Sequence, residues 1–153
     1  MIKFPISPLF IPANRPDWIE KGEATNADAL ILDLEDSVPT NEKKDAREGL
    51  FEYFSNQKPK NPYLIRINPL DSSQGQEDLL FLKKTKNVID NLLALVIPKL
   101  ENSEGLSSIP KSFKAIPLIE TPLAVKNLDV LALDPRVLGL ALGGADLSTN
   151  LGS

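Results

Sequence analysis

Six short apolar runs, each closing on polar or turn residues, recur along the 153-residue chain at 8–12, 29–34, 63–67, 94–97, 115–119 and 137–142. Runs this short, bounded by turn residues, read as strands buried on both faces, the mark of a parallel sheet. Parallel neighbours need long crossovers, and the stretches between the runs have helical spacing. Residues 15–24 follow Asn14 as a cap and carry Pro16 in the first turn. Residues 40–54 put Ala46, Leu50, Phe51 and Phe54 on one face, and residues 77–93 put Leu80, Phe81, Val88 and Leu92 inward. Residues 103–113 make a weak helix broken at Pro110, and residues 121–133 open on the cap pair Thr121-Pro122. The pattern is strand then helix, repeated at the length of a βαβ unit.

Such a repeat folds either as a doubly wound sheet or as a (β/α)8 barrel. A doubly wound nucleotide binder carries a glycine-rich turn after its first strand, whereas this turn reads Pro12-Ala13-Asn14-Arg15-Pro16. A barrel instead gathers reactive side chains at the C-terminal ends of several strands. Here the second strand ends in Asp33-Leu34-Glu35-Asp36, the third near Arg66 and Asn68, the fourth at Lys99 and the fifth at Glu120. The sixth runs into Gly143-Gly144-Ala145-Asp146. The expected fold is therefore an α/β TIM barrel. A complete one takes about 250 residues, so a single domain over residues 1–153 is expected to hold about six β/α units and to lack the C-terminal strands.

Two absences narrow the chemistry. The chain has no cysteine and no histidine, which excludes disulfides, thiolate nucleophiles, cysteine-bound zinc and the usual neutral-pH base. Catalysis has to run on carboxylates, Arg, Lys, Tyr, backbone groups and a metal. Oxygen donors without imidazole favour a hard cation such as Mg²⁺. The net charge of −4 argues against nucleic acid, which needs clustered cations. No apolar run reaches the length of a membrane span, and MIKFPISPLF lacks a signal-peptide pattern, so a cytoplasmic protein is expected.

Each candidate residue has two readings. Asp33, Glu35 and Asp36 are either a reactive cluster or a helix cap with a salt bridge. Glu120 faces a barrel mouth or serves the helix beginning at Thr121; Asp146 binds a ligand or caps the next helix. Lys99 is read mainly as structural. Taken together, strand ends of one barrel converge, so Glu120 and Asp146 are expected side by side. Paired carboxylates repel unless a proton or a cation intervenes, and Mg²⁺ resolves this with one or two carboxylates plus water and substrate oxygens. Arg66 then becomes a fork for a substrate carboxylate or carbonyl, or pairs with Glu35 or Asp36.

The stretches Ser7-Pro8-Leu9-Phe10-Ile11-Pro12-Ala13-Asn14-Arg15-Pro16, Leu32-Asp33-Leu34-Glu35-Asp36-Ser37-Val38 and Arg66-Ile67-Asn68-Pro69-Leu70-Asp71 resemble the citrate lyase beta-subunit family. Pro98-Lys99, Ile119-Glu120-Thr121-Pro122 and Gly143-Gly144-Ala145-Asp146-Leu147 are similar to it in the same order. The superfamily includes malyl-CoA and citramalyl-CoA lyases and 2-oxo-acid aldolases. The resemblance implies Mg²⁺ held by Glu120 and Asp146, with Arg66 stabilising an enolate oxygen and Glu35 and Asp36 as catalytic carboxylates. It places Arg66, Asp33 and Asn14 against substrate. The implied reaction cleaves or forms a 3-hydroxyacyl thioester, on CoA or an acyl-carrier protein, releasing or taking up an oxo acid. A homo-oligomer, trimeric in the family, is implied. Asp36 stands where the aldolase branch has histidine, which favours the thioester lyases. The competing expectation is a truncated, inactive binding or assembly module.

Overall fold

The computed structural model describes residues 4–152 apart from positions 86 and 90. Six parallel strands stand in sequence order: β1 (Pro8–Pro12), β2 (Ala29–Asp33), β3 (Tyr63–Arg66), β4 (Leu92–Ile97), β5 (Ala115–Ile119) and β6 (Ala141–Leu142). Between them lie α1 (Ile19–Glu23), α2 (Lys43–Asn56), α3 (Ser73–Thr85) and the short pair α4 (Pro122–Lys126) and α5 (Leu128–Leu133). After β6 comes α6 (Gly144–Leu151). Every adjacent strand pair is parallel and in simple order, as right-handed βαβ crossovers around a barrel require. The sheet curls: Phe4, ahead of β1, packs on Gly139, ahead of β6, where an added Cβ would lie 2.4 Å from the ring.

Alternation along the strands sorts the two faces. Leu30, Leu32, Ile65, Leu95, Ile97, Ala115 and Ile119 face the helices and form the main core with Leu50, Phe54, Leu79 and Leu82. Ile31, Leu64, Ala94, Val96 and Ile116 line the inner face. Asp33 and Arg66 continue that inner row at the strand ends, directly opposite each other in register.

The helices depart further from expectation. The expected helix over residues 77–93 is α3, which begins at Ser73 and stops at Thr85; Leu92 starts β4 instead. Positions 86 and 90 within that expected helix lie outside the described residues. Leu80 and Phe51, expected inside, are half exposed. Residues 103–113 hold only a 3-10 turn, Gly105–Ser108, and residues 121–133 split at Asn127. Thr121 does cap α4, its hydroxyl accepting from the Ala124 N–H at 3.1 Å. Asn14 caps nothing: a 3-10 turn, Pro16–Trp18, precedes α1 without a side-chain cap.

Gly75, in the first turn of α3, decides how closely that helix seats on the loop after β3. A Cβ there would lie 2.1 Å from the Pro69 carbonyl oxygen, and backbone does not yield. Helix propensity alone favours alanine by about 1 kcal/mol. The clash wins: Gly75→Ala is expected to lose about 3 kcal/mol, the upper end of overpacking costs, in urea unfolding.

Candidate functional site

Arg66 organises the mouth. Its Nε donates to Asp33 Oδ1 at 2.7 Å and its Nη2 to Asp33 Oδ2 at 2.6 Å, a side-on fork between adjacent strand ends. Asp33 also accepts the Glu35 N–H at 2.9 Å and the Ser37 N–H at 3.1 Å, turning the chain back so that Glu35 returns to the guanidinium. Arg66 Nη1 meets Glu35 Oε2 at 3.2 Å and Asp36 Oδ2 at 3.3 Å. The exposed Phe10 ring packs against the guanidinium, 5.0 Å from Cζ. One cation thus sits among three carboxylates.

On the far side of the mouth, Glu120 follows β5 and is only 3% exposed. Its Oε1 accepts the Lys99 N–H at 2.8 Å, and Lys99 adopts the left-handed conformation with φ 53°. Lys99 therefore contributes a backbone donor held in an uncommon conformation. Gly143 lies flush against Glu120: a Cβ there would sit 2.8 Å from the carboxylate oxygen. Asn150 Nδ2 donates to the Glu120 carbonyl at 2.9 Å, drawing α6 over the strand end. Asp146 lies exposed in the first turn of α6.

The electrostatics follow from this crowding. Burial would raise Asp33, but the bonds from Arg66, Ser37 and the Glu35 backbone hold it below the usual carboxylate range. Burial pushes Glu35 up to about 7, helped by the charge of Asp36 and opposed by Arg66. Burial also raises Glu120, against the Lys99 N–H, with the Asp146 charge adding to it. The Asp146 charge thus reaches the Glu120 carboxylate. Among the described residues no three acidic side chains converge into a ready-made metal cage. A cation here would be held by these two carboxylates plus water and ligand oxygens, the pattern that suits a hard divalent ion.

The raised carboxyls make stability fall with pH. Between about pH 4.5 and 7 folded Glu35 keeps a proton that the unfolded chain has lost, so the unfolded state gains as pH rises. We expect the melting temperature to drop across that window, reflecting on the order of 2 kcal/mol, with a shallower slope in Glu35→Gln. Melts from pH 5 to 8 check this.

Asn14 is placed differently from the others. Its Nδ2 donates to Glu42 Oε2 at 2.6 Å, while its Oδ1 is buried and, among the described residues, accepts no hydrogen bond. The residues that sequence reasoning missed lie behind the mouth. Lys43 Nζ donates to the carbonyls of Leu34 and Glu35 at 2.7 and 2.6 Å and to Asn68 Oδ1 at 2.7 Å. Asn68 returns its N–H and its amide to Asp78 at 2.7 and 2.8 Å, and Asp78 pairs with Arg47 at 2.8 Å. The available signal was helical spacing: Lys43 and Arg47 share the stripe of Ala46, Leu50 and Phe54, so their charges had to be buried. Two grooves of about 400 Å³ lie elsewhere, on the outer surface around Glu20, Tyr53 and Gln57.

Among the described residues no helix is long and apolar enough to cross a membrane. A (3S)-malyl-CoA thioesterase of Cereibacter sphaeroides is 31% identical over 151 residues, covering 96% of this chain and 51% of its own. An L-malyl-CoA/beta-methylmalyl-CoA lyase from the same species is 32% identical over 162 residues, covering 94% and 49%. The solved citrate lyase beta subunit of Mycobacterium tuberculosis, complexed with oxaloacetate and magnesium, superposes with a TM-score of 0.79 at 28% identity, covering 95% of this chain and 61% of that one. The chain thus spans about half the length of the curated relatives it matches. The family model for HpcH/HpaI aldolase/citrate lyase matches residues 7–153. Strand order, mouth and match agree, and the chain belongs to the HpcH/HpaI aldolase/citrate lyase family.

Proposed function

We propose that this chain provides the metal and enolate half of a Mg²⁺-dependent carbon–carbon lyase acting on a 3-hydroxyacyl-CoA thioester of the malyl-CoA or citryl-CoA kind. The observation that carries the reading is the Arg66 guanidinium, locked by Asp33 beside Glu35 and across the mouth from the buried Glu120. Removing the substrate's hydroxyl proton and breaking the neighbouring carbon–carbon bond leaves an oxo acid and a thioester enolate. Arg66 is aimed to donate to the enolate oxygen, an interaction that strengthens as charge develops there. Glu35, pushed up to about 7, exchanges a proton at neutral pH. Asp36, exposed and held at 3.3 Å, is the second candidate base. Glu120 and Asp146 would hold Mg²⁺, which supplies Lewis-acid polarisation of the oxo acid's oxygens when bound. Asn14 offers its buried Oδ1 to a substrate donor. The magnesium and oxaloacetate bound to the Mycobacterium tuberculosis relative, and the lyase among the relatives, support this reading. A cytoplasmic homo-oligomer is part of the same proposal, and sedimentation decides the oligomeric part.

Titration calorimetry with Mg²⁺, and then with oxaloacetate in its presence, tests the reading. Wild type is expected to bind oxaloacetate only with Mg²⁺. Glu120→Gln keeps an oxygen for the Lys99 N–H and so its fold, but loses at least about tenfold in Mg²⁺ affinity, because a neutral amide replaces a charged ligand. No Mg²⁺-dependent heat in wild type would sink the reading. The thioesterase among the relatives favours a second one, hydrolysis of malyl-CoA. Product analysis separates them: malate and CoA for hydrolysis, glyoxylate and acetyl-CoA for the lyase.

A further inference from the structure

We infer that Lys43 is a positioning residue that sets the Arg66–Asp33–Glu35 constellation from behind; this rests on the lyase reading above. Lys43 is 6% exposed, and among the described residues no carboxylate lies within ion-pair distance of its ammonium. Its three donors are instead spent on Leu34 O, Glu35 O and Asn68 Oδ1, at 2.6–2.7 Å. An unpaired buried ammonium is costly, and burial lowers its proton affinity. Asp78 behind the mouth, and then Asp33, Glu35 and Asp36 within it, act against that loss.

The two carbonyls it grips are consecutive and flank the residue that presents the Glu35 side chain. Pinning both fixes the peptide between Leu34 and Glu35, and with it the turn in which Asp33 accepts the Glu35 and Ser37 N–H groups. The third bond, to Asn68, ties that turn to the segment just beyond Arg66. Asn68 Nδ2 itself donates to Leu34 O at 2.9 Å, so Leu34 O is held from two sides. Lys43 touches neither Glu120 nor Asp146 by any of these bonds. It governs the enolate half of the mouth and leaves the metal half alone.

Hydrogen exchange by NMR on the intact chain tests this, comparing wild type, Lys43→Met and Leu50→Val, a cavity-forming change in the same helix. Lys43→Met is expected to speed exchange of the Arg66 Nε proton and the Glu35 and Ser37 amides by about tenfold beyond its global effect. Leu50→Val should slow or speed those protons only in step with the rest of the core. Lys43→Gln, which donates to only part of the triad, carries the comparison if Lys43→Met fails to melt cooperatively. Uniform acceleration, or none, at the three protons overturns the inference. In calorimetry Lys43→Met should keep wild-type Mg²⁺ affinity while oxaloacetate binding weakens about tenfold; loss of Mg²⁺ affinity would also overturn it. If wild type shows no Mg²⁺-dependent oxaloacetate binding, the lyase reading falls, while the exchange pattern still decides whether Lys43 places Arg66.

Discussion

Asp78→Ala is expected to destabilise the chain by about 3–5 kcal/mol, the cost of leaving a buried ion partner uncompensated. Asp78 is fully buried, Arg47 is 8% exposed, and water reaches neither well enough to replace the lost bond. Asp78 also accepts both the backbone N–H and the side-chain amide of Asn68, so its removal breaks three hydrogen bonds at once and orphans the Asn68 N–H. Arg47 keeps Gln74 Oε1 at 3.2 Å, and the Asn68 amide keeps Leu34 O at 2.9 Å. A double variant separates the contributions. Arg47→Met with Asp78→Leu removes both charges and should recover the part of the loss due to the stranded guanidinium. It cannot recover the bonds from Asn68, so a residue of about 1–3 kcal/mol should persist. Urea unfolding of the two single variants and the double one measures this. Full recovery would mean that Asn68 finds other partners, and a single-variant loss under about 1 kcal/mol would mean that the network is wet.

That network was the least legible part of the molecule, for a physical reason. The strands were readable because a buried parallel strand needs an unbroken apolar run, and the expected run over 8–12 is β1 while 29–34 and 63–67 differ from β2 and β3 by one residue. The convergence of Asp33, Glu35, Asp36 and Arg66 was readable because barrel strand ends share one mouth. Which carboxylate would take both guanidinium donors was not, since that depends on the register that sets Asp33 opposite Arg66. The helices misled where one apolar segment served two elements: Leu92 belongs to β4, and a short apolar run does not declare itself helix or strand. Gly75 disguised the true start of α3, because a glycine in a first turn reads as loop until the close approach to Pro69 is seen. The sixth run shrank to Ala141–Leu142, with only an isolated bridge at Val137, and Phe4 packs against Gly139 between the two. Lys43, Arg47 and Asp78 escaped because charge is ordinarily read as solvent-facing, although their spacing put them on buried stripes.

Arg66→Met should do more damage than any change at the metal pair, and in two separable ways. In the fold, the guanidinium is the counter-charge that keeps buried Asp33 ionised, since burial alone would raise it. Without it Asp33, Glu35 and Asp36 face one another, and the expected loss near pH 8 is about 3–5 kcal/mol. The steepness with pH is diagnostic, because wild type itself gains stability as pH falls through the Glu35 window. In wild type Asp33 titrates below the usual carboxylate range, so its stabilisation persists down to acid. In Arg66→Met burial remains while the largest opposing hydrogen bond is lost, so the proton affinity of Asp33 should rise. Stability should then increase more steeply than in wild type as pH falls from 8 towards 5, and the gap to wild type should narrow. In the proposed reaction, losing one donor to a developing enolate costs about 10²–10³ in turnover. Arg66→Lys distinguishes the roles. It retains a charge for Asp33 and should restore part of the stability, but a point ammonium cannot span Asp33 sideways and still offer a free donor to substrate. A lysine variant that melts near wild type yet remains about a hundredfold slower in malyl-CoA cleavage would assign Arg66 to the enolate. One that recovers stability and turnover together would confine Arg66 to holding the mouth.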